Sequence, residues 1–188
     1  GFLKGFGPVI DSALGRQWLV EIWYGPMMGF PRSPRPLDAK VLRNLDLPDS
    51  WNGKVAVREF NEIEELPRLV QDHSIEAIFS LWTRVDLLAV PIPDCKFITL
   101  QEGIDNFVNQ TPENLASSDL HCLFSPFWKD WAAAYYEAAG ECDRLRFETL
   151  MKVGIVFTGY TALDGFDRLD RDEIRKLWGI PERKSIVL

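Results

Sequence analysis

Short runs of β-branched and aromatic residues alternate with helical patterns along most of the chain, and this rhythm restricts the fold more than any other feature. Several of the runs are apolar nearly throughout, as strands buried on both faces of a sheet are. The alternation therefore predicts an α/β fold, a Rossmann-like open parallel sheet with helices on both faces. The predicted strands are Trp18–Trp23, Lys54–Phe60, Ile75–Leu81, Lys96–Leu100, His121–Phe124 and Ile155–Phe157.

Three segments between these runs have clear helical signals. Gly7–Gly15 predicts a short helix entered through Gly-Pro and ended by a glycine, and Glu62–Asp72 has apolar residues on one side only. The clearest boundary is Ser125-Pro126, an N-cap followed by proline at the first helical position, from which a helix should run to Gly140. We expect the first two to be crossover helices between strands.

Length and charge limit the function. A chain of 188 residues fits one well-buried domain, and 28 acidic against 21 basic residues leave a formal charge of −7, which excludes a basic field for nucleic-acid binding. No apolar run approaches the roughly 18 residues that span a bilayer, so a cytoplasmic protein without a transmembrane segment is predicted. Peripheral membrane association and self-association to a homo-oligomer stay open.

Metal and cofactor sites are not predicted. Cys95, Cys122 and Cys142 are widely spaced and suggest buried thiols in a reducing compartment, since zinc and redox motifs need paired cysteines. His121 begins a strand with no second ligand at suitable spacing, and His73 is expected to be solvated. The aromatic residues around Trp128 are expected to pack in the core rather than stack on a sugar.

Ligands of open parallel sheets bind outside the carboxyl ends of the strands, which selects candidate residues before any family is considered. The glycine-rich start of the chain predicts a loop that opens a helix and could present N–H groups through Lys4, Gly5 and Gly7, although a loop that only needs positive φ angles is an equal alternative. Thr83 and Arg84 follow the third strand, with a local Arg84–Asp86 ion pair as the simpler interpretation of the arginine.

The loop after the fourth strand is the best candidate for chemistry. It reads Gln101-Glu102-Gly103-Ile104-Asp105-Asn106 and combines two carboxylates with two amides. A carboxylate partly desolvated in a cleft has a raised pKa and can remove a proton from a hydroxyl group. Glu102 and Asp105 are therefore predicted as catalytic and Asn106 as substrate-binding; the alternative is a solvated turn with Asn106 as a cap.

The final forty residues carry a resemblance to a known family. A Thr-Gly turn at Thr158-Gly159 leads to Asp164, and a predicted short helix ends in Trp178-Gly179-Ile180-Pro181 before the apolar run Ser185–Leu188. This stretch resembles the interdomain connection of B-type glycosyltransferases, most closely the CDP-glycerol glycerophosphotransferases and UDP-N-acetylglucosamine 2-epimerases. Where the glycerophosphotransferases have His-Gly in the upstream loop, this chain has Glu102-Gly103, which is closer to the epimerase type.

The resemblance implies an amino-terminal, acceptor-side domain at residues 1–168, followed at 169–188 by an interdomain helix and the first strand of a second domain. The implied partners are a nucleotide-sugar donor, bound mainly by that second domain, and a glycan, lipid-linked or protein acceptor. Ser125, at the head of a helix, stands where such families place ligand-facing loops, and Gly159 is selected by the parallel-sheet rule. Three functions stay open: a transferase of sugar or glycerophosphate, a nucleotide-sugar 2-epimerase, and a non-catalytic binding domain.

Overall fold

The computed structural model describes residues 3–25, 47–88, 92–101, 103, 105–152 and 154–159. Within them, helices alternate with strands that all pair in parallel, which confirms the predicted Rossmann-like α/β fold. The strands are β1 (Val20–Tyr24), β2 (Val55–Glu59), β3 (Ala77–Ser80), β4 (Lys96–Leu100), β5 (Leu120–Leu123) and β6 (Gly154–Phe157). The helices are α1 (Leu3–Gly15), α2 (Leu66–Asp72), α3 (Arg84–Leu87), α4 (Asp105–Val108), α5 (Pro112–Leu115), α6 (Pro126–Ala138) and α7 (Arg144–Leu150), with 3₁₀ turns at Asp49–Trp51 and Ile63–Glu65.

The described strands form two sheets. β1 pairs with β2, and β3, β4, β5 and β6 form a second sheet in that order, so each strand of the larger sheet lies beside its neighbour in sequence. The two sheets share an apolar cluster in which Leu66 and Val70 of α2 pack with Phe97 of β4, against Trp23 of β1 and Ile78 of β3. Helix α2 therefore links the sheets although no hydrogen-bonded ladder does so among the described residues.

One face of the larger sheet is the more deeply buried. Residues paired across parallel strands point to the same face, and the register aligns Thr99 with His121, both of which are buried. Leu123, two residues further along β5, lies on that same face and enters the main core cluster. On the opposite face Phe79 and Val156 are exposed.

The main core lies between this sheet and helices α6 and α7. Tyr136 of α6 and Phe147 of α7 are almost fully inaccessible to solvent and pack with Phe107, Leu115 and Leu123. Stacked and edge-on rings continue the cluster from Phe107 through Trp128 and Trp131 toward Tyr135. The expected core role of the α6 aromatics is confirmed for Trp128 and Trp131, whereas Phe127 is 62% exposed and does not share it.

Predicted boundaries differ from the observed ones mainly at short helices. The segment Glu62–Asp72 is a 3₁₀ turn followed by α2, and helices α3, α4, α5 and α7 were not predicted. These helices have four or seven residues, too few for the 3.6-residue period to be recognised. Helix α6 agrees with expectation: it begins at Pro126 and is followed by Gly140 at φ +71°.

The prediction of a glycine-rich loop at the start of the chain is wrong. Helix α1 begins at Leu3 and contains Lys4, Gly5 and Gly7, with Pro8 inside it. Pro8 is the sixth residue of α1, past the first turn, so its missing N–H removes one intrahelical hydrogen bond. Gly7 does not use the positive φ angle that glycine permits, because its φ is not positive.

Candidate functional site

The carboxyl edge of the larger sheet brings together segments that are far apart in sequence. Because β3 to β6 are parallel, the residues after each strand emerge at one edge. The Gln101 N–H donates to Cys122 O at 2.9 Å, and the Thr158 N–H donates to Leu123 O at 2.8 Å, so the segments after β4 and β6 both lie against β5. This edge is where the sequence predicted ligand-facing loops.

Gln101 is the most unusual residue at this edge. It is only 6% exposed, and its Oε1 accepts the Phe124 N–H at 2.8 Å. That hydrogen bond orients the amide, since a flipped amide would bring two donors together. The Nε2 group then has no hydrogen-bond partner among the described residues. A buried donor without an acceptor costs about 1–3 kcal/mol, so the amide needs an explanation beyond packing.

Ser125 and the start of α6 directly follow Phe124, the residue whose N–H donates to the Gln101 amide. Ser125 is the N-cap of the 13-residue helix α6; its backbone is extended (φ −163°, ψ 167°), and its side chain makes no capping hydrogen bond. Pro126 has no N–H and the Trp128 N–H donates to Ser125 O at 3.1 Å, so the Phe127 N–H is the one first-turn group left without an intrahelical acceptor among the described residues. The half-buried Ser125 hydroxyl and the positive end of the helix dipole are thus available at the sheet edge.

Lys129 adds a positive charge to the beginning of α6. It follows Ser125 by four residues, which places it one turn into the helix. Its side chain is half-buried, and it forms no ion pair with any residue that the structure describes. The three features near Phe124 are therefore all hydrogen-bond donors: the Gln101 amide, the Ser125 hydroxyl with the helix terminus, and the Lys129 ammonium group.

Thr83 lies at the same edge, but its polar groups form hydrogen bonds within the fold. It is buried, and its N–H and hydroxyl both donate to Asp86 Oδ2, at 2.9 Å and 2.5 Å. Gln110 Nε2 donates to the same oxygen at 3.0 Å. These bonds close the first turn of α3, and they occupy the N–H and the hydroxyl proton of Thr83, so neither is free to donate to a ligand.

The local Arg84–Asp86 ion pair expected from the sequence is absent between these two described side chains, because Asp86 accepts hydrogen bonds from Thr83 and Gln110 instead. The Arg84 N–H donates to Ser118 Oγ at 3.2 Å, so the backbone of α3 is fixed to the segment before β5. The Arg84 side chain is half-buried beside this edge.

The remaining predicted site residues are distributed unevenly. Glu102 lies outside the described residues, while Asp105 and Asn106 are the first two residues of α4. Gly159 ends the described chain after β6 at φ +70°, a conformation that glycine adopts without strain. Lys4, Gly5 and Gly7 belong to α1, which contacts β1 of the smaller sheet and accepts a hydrogen bond from Trp51 Nε1 at Asp11 Oδ1, at 2.6 Å.

A second polar cluster, on the smaller sheet, was missed from the sequence. Glu21 accepts Trp23 Nε1 at 2.7 Å and Arg58 Nη2 at 3.0 Å, and its carboxylate lies 3.1 Å from His73 Nδ1. Desolvation raises the pKa of Glu21, but the hydrogen bonds from Arg58, Trp23 and His73 together lower it below its ordinary value. His73 is half-buried against Trp23 rather than solvated, which corrects the expectation for it.

Neither His121 nor the cysteines form a reactive centre. Burial lowers the pKa of His121, which remains neutral and hydrogen-bonds the carbonyl of Leu115. Cys95 is half-buried and the other two cysteines are buried, and desolvation raises the pKa of all three thiols, so the nucleophilic thiolate is disfavoured. Within the described part of the chain, no three His, Cys, Asp or Glu residues are grouped to hold a metal ion.

A surface depression of about 370 Å³ lies at the far end of α6 and is lined by Glu137, Gly140, Glu141, Cys142, Asp143 and Arg146. Because α6 starts at the carboxyl edge, its carboxyl-terminal end points toward the opposite edge of the sheet. This depression is therefore separate from the candidate site.

Gln101 and Lys129 were not singled out from the sequence. A usable signal existed for Gln101, since an amide directly continues the buried run Lys96–Leu100. Lys129 had no such signal, because one lysine on a helix is usually a solvated residue.

No family model, curated protein or solved structure matches this chain. Within the described residues, none of the helices has both the length and the apolar character needed to cross a bilayer.

Proposed function

We propose that this chain is the acceptor-side domain of a B-type glycosyltransferase, which transfers a sugar or glycerophosphate from a nucleotide-activated donor to a glycan, lipid-linked or protein acceptor. One observation carries the proposal: Gln101 Oε1 accepts the Phe124 N–H at 2.8 Å, so the loop with the candidate base begins beside the N-cap of α6. A ligand in this place meets donors from two adjacent loops, as ligands of open parallel sheets do.

Two further features support the proposal. The Thr158-Gly159 pair, at which the sequence resemblance begins, directly follows β6 at the same edge. The parallel α/β architecture is also the one that the resemblance implies. The donor is held mainly by a second α/β domain in this class of transferase, so the acceptor is the substrate that concerns the residues described above.

In the proposed reaction, Glu102 acts as the general base. It accepts the proton of the acceptor hydroxyl while that oxygen attacks the donor and the nucleotide leaves, as an inverting transfer requires. Gln101 directly precedes Glu102 and is held by the Phe124 N–H, so the start of this loop is fixed in position. In a retaining enzyme Glu102 would only bind the acceptor.

The experiment is to incubate the full-length protein with nucleotide-sugars and measure free nucleotide with and without candidate acceptors. Release that depends on an acceptor supports a transferase. Conversion of the sugar without net release of nucleotide would identify a 2-epimerase, and tight binding without turnover would identify a binding domain; either result rejects the proposal.

Replacing the base provides the sharper test. Glu102→Gln keeps the shape of the side chain and removes its basicity, so turnover should fall at least about a hundredfold. Glu62→Gln is the matched control, because Glu62 is exposed and distant in sequence from the loop, and its turnover should be unchanged. Near-normal turnover of Glu102→Gln would reject the assignment of this residue.

A further inference from the structure

We infer that the beginning of α6 binds an oxyanion, a phosphate or carboxylate group, with Gln101 Nε2 as a direct donor. The strongest evidence is the Gln101 amide, which is 94% inaccessible to solvent, since it is 6% exposed, yet has no acceptor for Nε2 among the described residues. Its Oε1 is held by the Phe124 N–H, so Nε2 is kept in a fixed orientation beside the entry to α6.

The neighbouring groups indicate the chemistry of the ligand. The side chain of Ser125 makes no capping bond, and in the first turn of the 13-residue α6 the Phe127 N–H has no intrahelical acceptor, whereas the Trp128 N–H donates to Ser125 O at 3.1 Å. Donors from a side-chain amide, a hydroxyl and a helix terminus suit a group that offers several acceptor oxygens, and the helix dipole favours a negative charge there.

Lys129 provides the countercharge for such a group. It lies one turn into α6, is half-buried, and has no ion-pair partner in the described part of the chain. The net charge of −7 repels anions at long range, but salt screens this repulsion beyond about 8 Å at physiological ionic strength. Short-range donors therefore decide whether an oxyanion binds here.

This inference deepens the proposed function and rests on it for the source of the oxyanion. A phosphate would belong to a lipid-linked acceptor or to the donor, whereas a carboxylate would belong to an acidic sugar. Both groups present oxygens to the same donors. Phosphate carries the larger charge and more oxygens, so it should respond more strongly to the loss of Lys129.

The test is a titration of the ¹⁵N-labelled full-length protein with inorganic phosphate and, separately, with acetate, followed by NMR. We expect saturable shifts of the Gln101 side-chain NH₂ signals and of the Ser125 and Phe127 backbone amides. Stronger saturation by phosphate identifies phosphate as the preferred group, and stronger saturation by acetate identifies a carboxylate. Absence of saturable shifts with both anions would overturn the inference.

The variants test whether Gln101 donates to the anion or has only a structural role. Gln101→Glu keeps an acceptor for the Phe124 N–H but replaces the Nε2 donor with a second carboxylate oxygen, so anion affinity should fall at least about tenfold. Lys129→Met keeps most of the apolar stem and should weaken phosphate binding several-fold. Gln71→Glu adds the same charge at an exposed position of α2 and should change affinity less than twofold.

Equal affinity of Gln101→Glu and the unmodified protein would also overturn the inference. If Gln101→Glu does not fold, Lys129→Met and Ser125→Ala still test it, because both changes lie outside the buried core. Failure of the proposed function is distinguishable from failure of this inference. Anion binding without acceptor-dependent nucleotide release supports the oxyanion subsite and rejects the transferase. Acceptor-dependent nucleotide release without anion binding supports the transferase and rejects the subsite.

Discussion

Beneath the four-stranded sheet, Tyr136 and Phe147 are almost completely buried, whereas the two-stranded sheet carries Glu21, Arg58 and His73 in contact with one another. In the first region neighbouring elements are joined by apolar side chains. In the second, a carboxylate with three donors joins β1, β2 and the end of α2. The comparison shows that a region with few buried apolar residues can still be specified by directional polar contacts.

The largest effect is expected in the apolar region. Phe147→Ala removes a ring that is 1% exposed and packs against Tyr136, so the free energy of unfolding should fall by about 3–5 kcal/mol. Urea denaturation followed by tryptophan fluorescence measures this change. A loss below about 1 kcal/mol would contradict the picture of a tightly packed core.

The polar region should respond to charge and pH. Glu21→Gln leaves Arg58 without its carboxylate and should cost about 1.5–3 kcal/mol at pH 7, the range for hydrogen bonds to charged groups. The pKa of Glu21 is lowered in the folded protein, so its contribution is present above the unfolded pKa of about 4.3 and is lost as pH falls through the lower folded value.

The unmodified protein and Glu21→Gln should therefore converge in stability in acid. Glu76→Gln is the control, because Glu76 is exposed, and it should follow the unmodified protein at every pH. A constant difference between Glu21→Gln and the unmodified protein from pH 7 to pH 3 would show that shape, rather than charge, accounts for the effect.

A smaller loss of stability is expected when the Tyr136 hydroxyl, a polar group inside the apolar region, is removed. Tyr136 donates its hydroxyl to the carbonyls of Phe107 at 2.8 Å and Gln110 at 3.0 Å, so Tyr136→Phe should cost about 1 kcal/mol. Desolvation raises the pKa of Tyr136, so the unfolded chain loses this proton first and the advantage over the variant should shrink above about pH 10. Chemical denaturation at pH 7 and pH 10.5 measures the stability difference between the unmodified protein and Tyr136→Phe and its dependence on pH. A difference that grows at pH 10.5 would contradict the expected pH dependence.

The smallest effect is expected on the smaller sheet away from its polar cluster. Val57 in β2 is 41% exposed, so Val57→Ala should cost less than about 1 kcal/mol. Denaturation under the conditions used for Glu21→Gln gives the direct comparison. A loss larger than that of Glu21→Gln would mean that apolar packing, and not the polar cluster, stabilises β1 and β2.

The fold was predictable to the extent that it is repetitive. Each described strand overlaps its predicted range, and Lys96–Leu100 agrees at both ends, because buried strands must be apolar along their length. The glycine-rich start of the chain was mistaken for a loop, since composition does not reveal that Gly5 and Gly7 lie within a helix. The four-residue helices contain too little sequence for a pattern to develop.

The candidate site was predictable as a location. The parallel-sheet rule selected Ser125, Gly159 and the loop after β4, and hydrogen bonds bring the beginnings of these segments against β5. Catalysis by Glu102 and Asp105 remains a prediction. The hydrogen-bond state of Gln101 was beyond sequence reasoning, since it depends on Phe124, 23 residues away.

The amino-acid sequence by itself determined the alternation of strands and helices, the parallel pairing and the position of the α6 N-cap, because these follow from local patterns of burial and capping. Tertiary structure alone decided that the strands divide into two sheets, that Glu21 meets His73, and that Gln101 retains an unused donor. The physical reason is that hydrogen bonds and burial depend on atoms brought together from distant parts of the chain, and no local pattern contains that information.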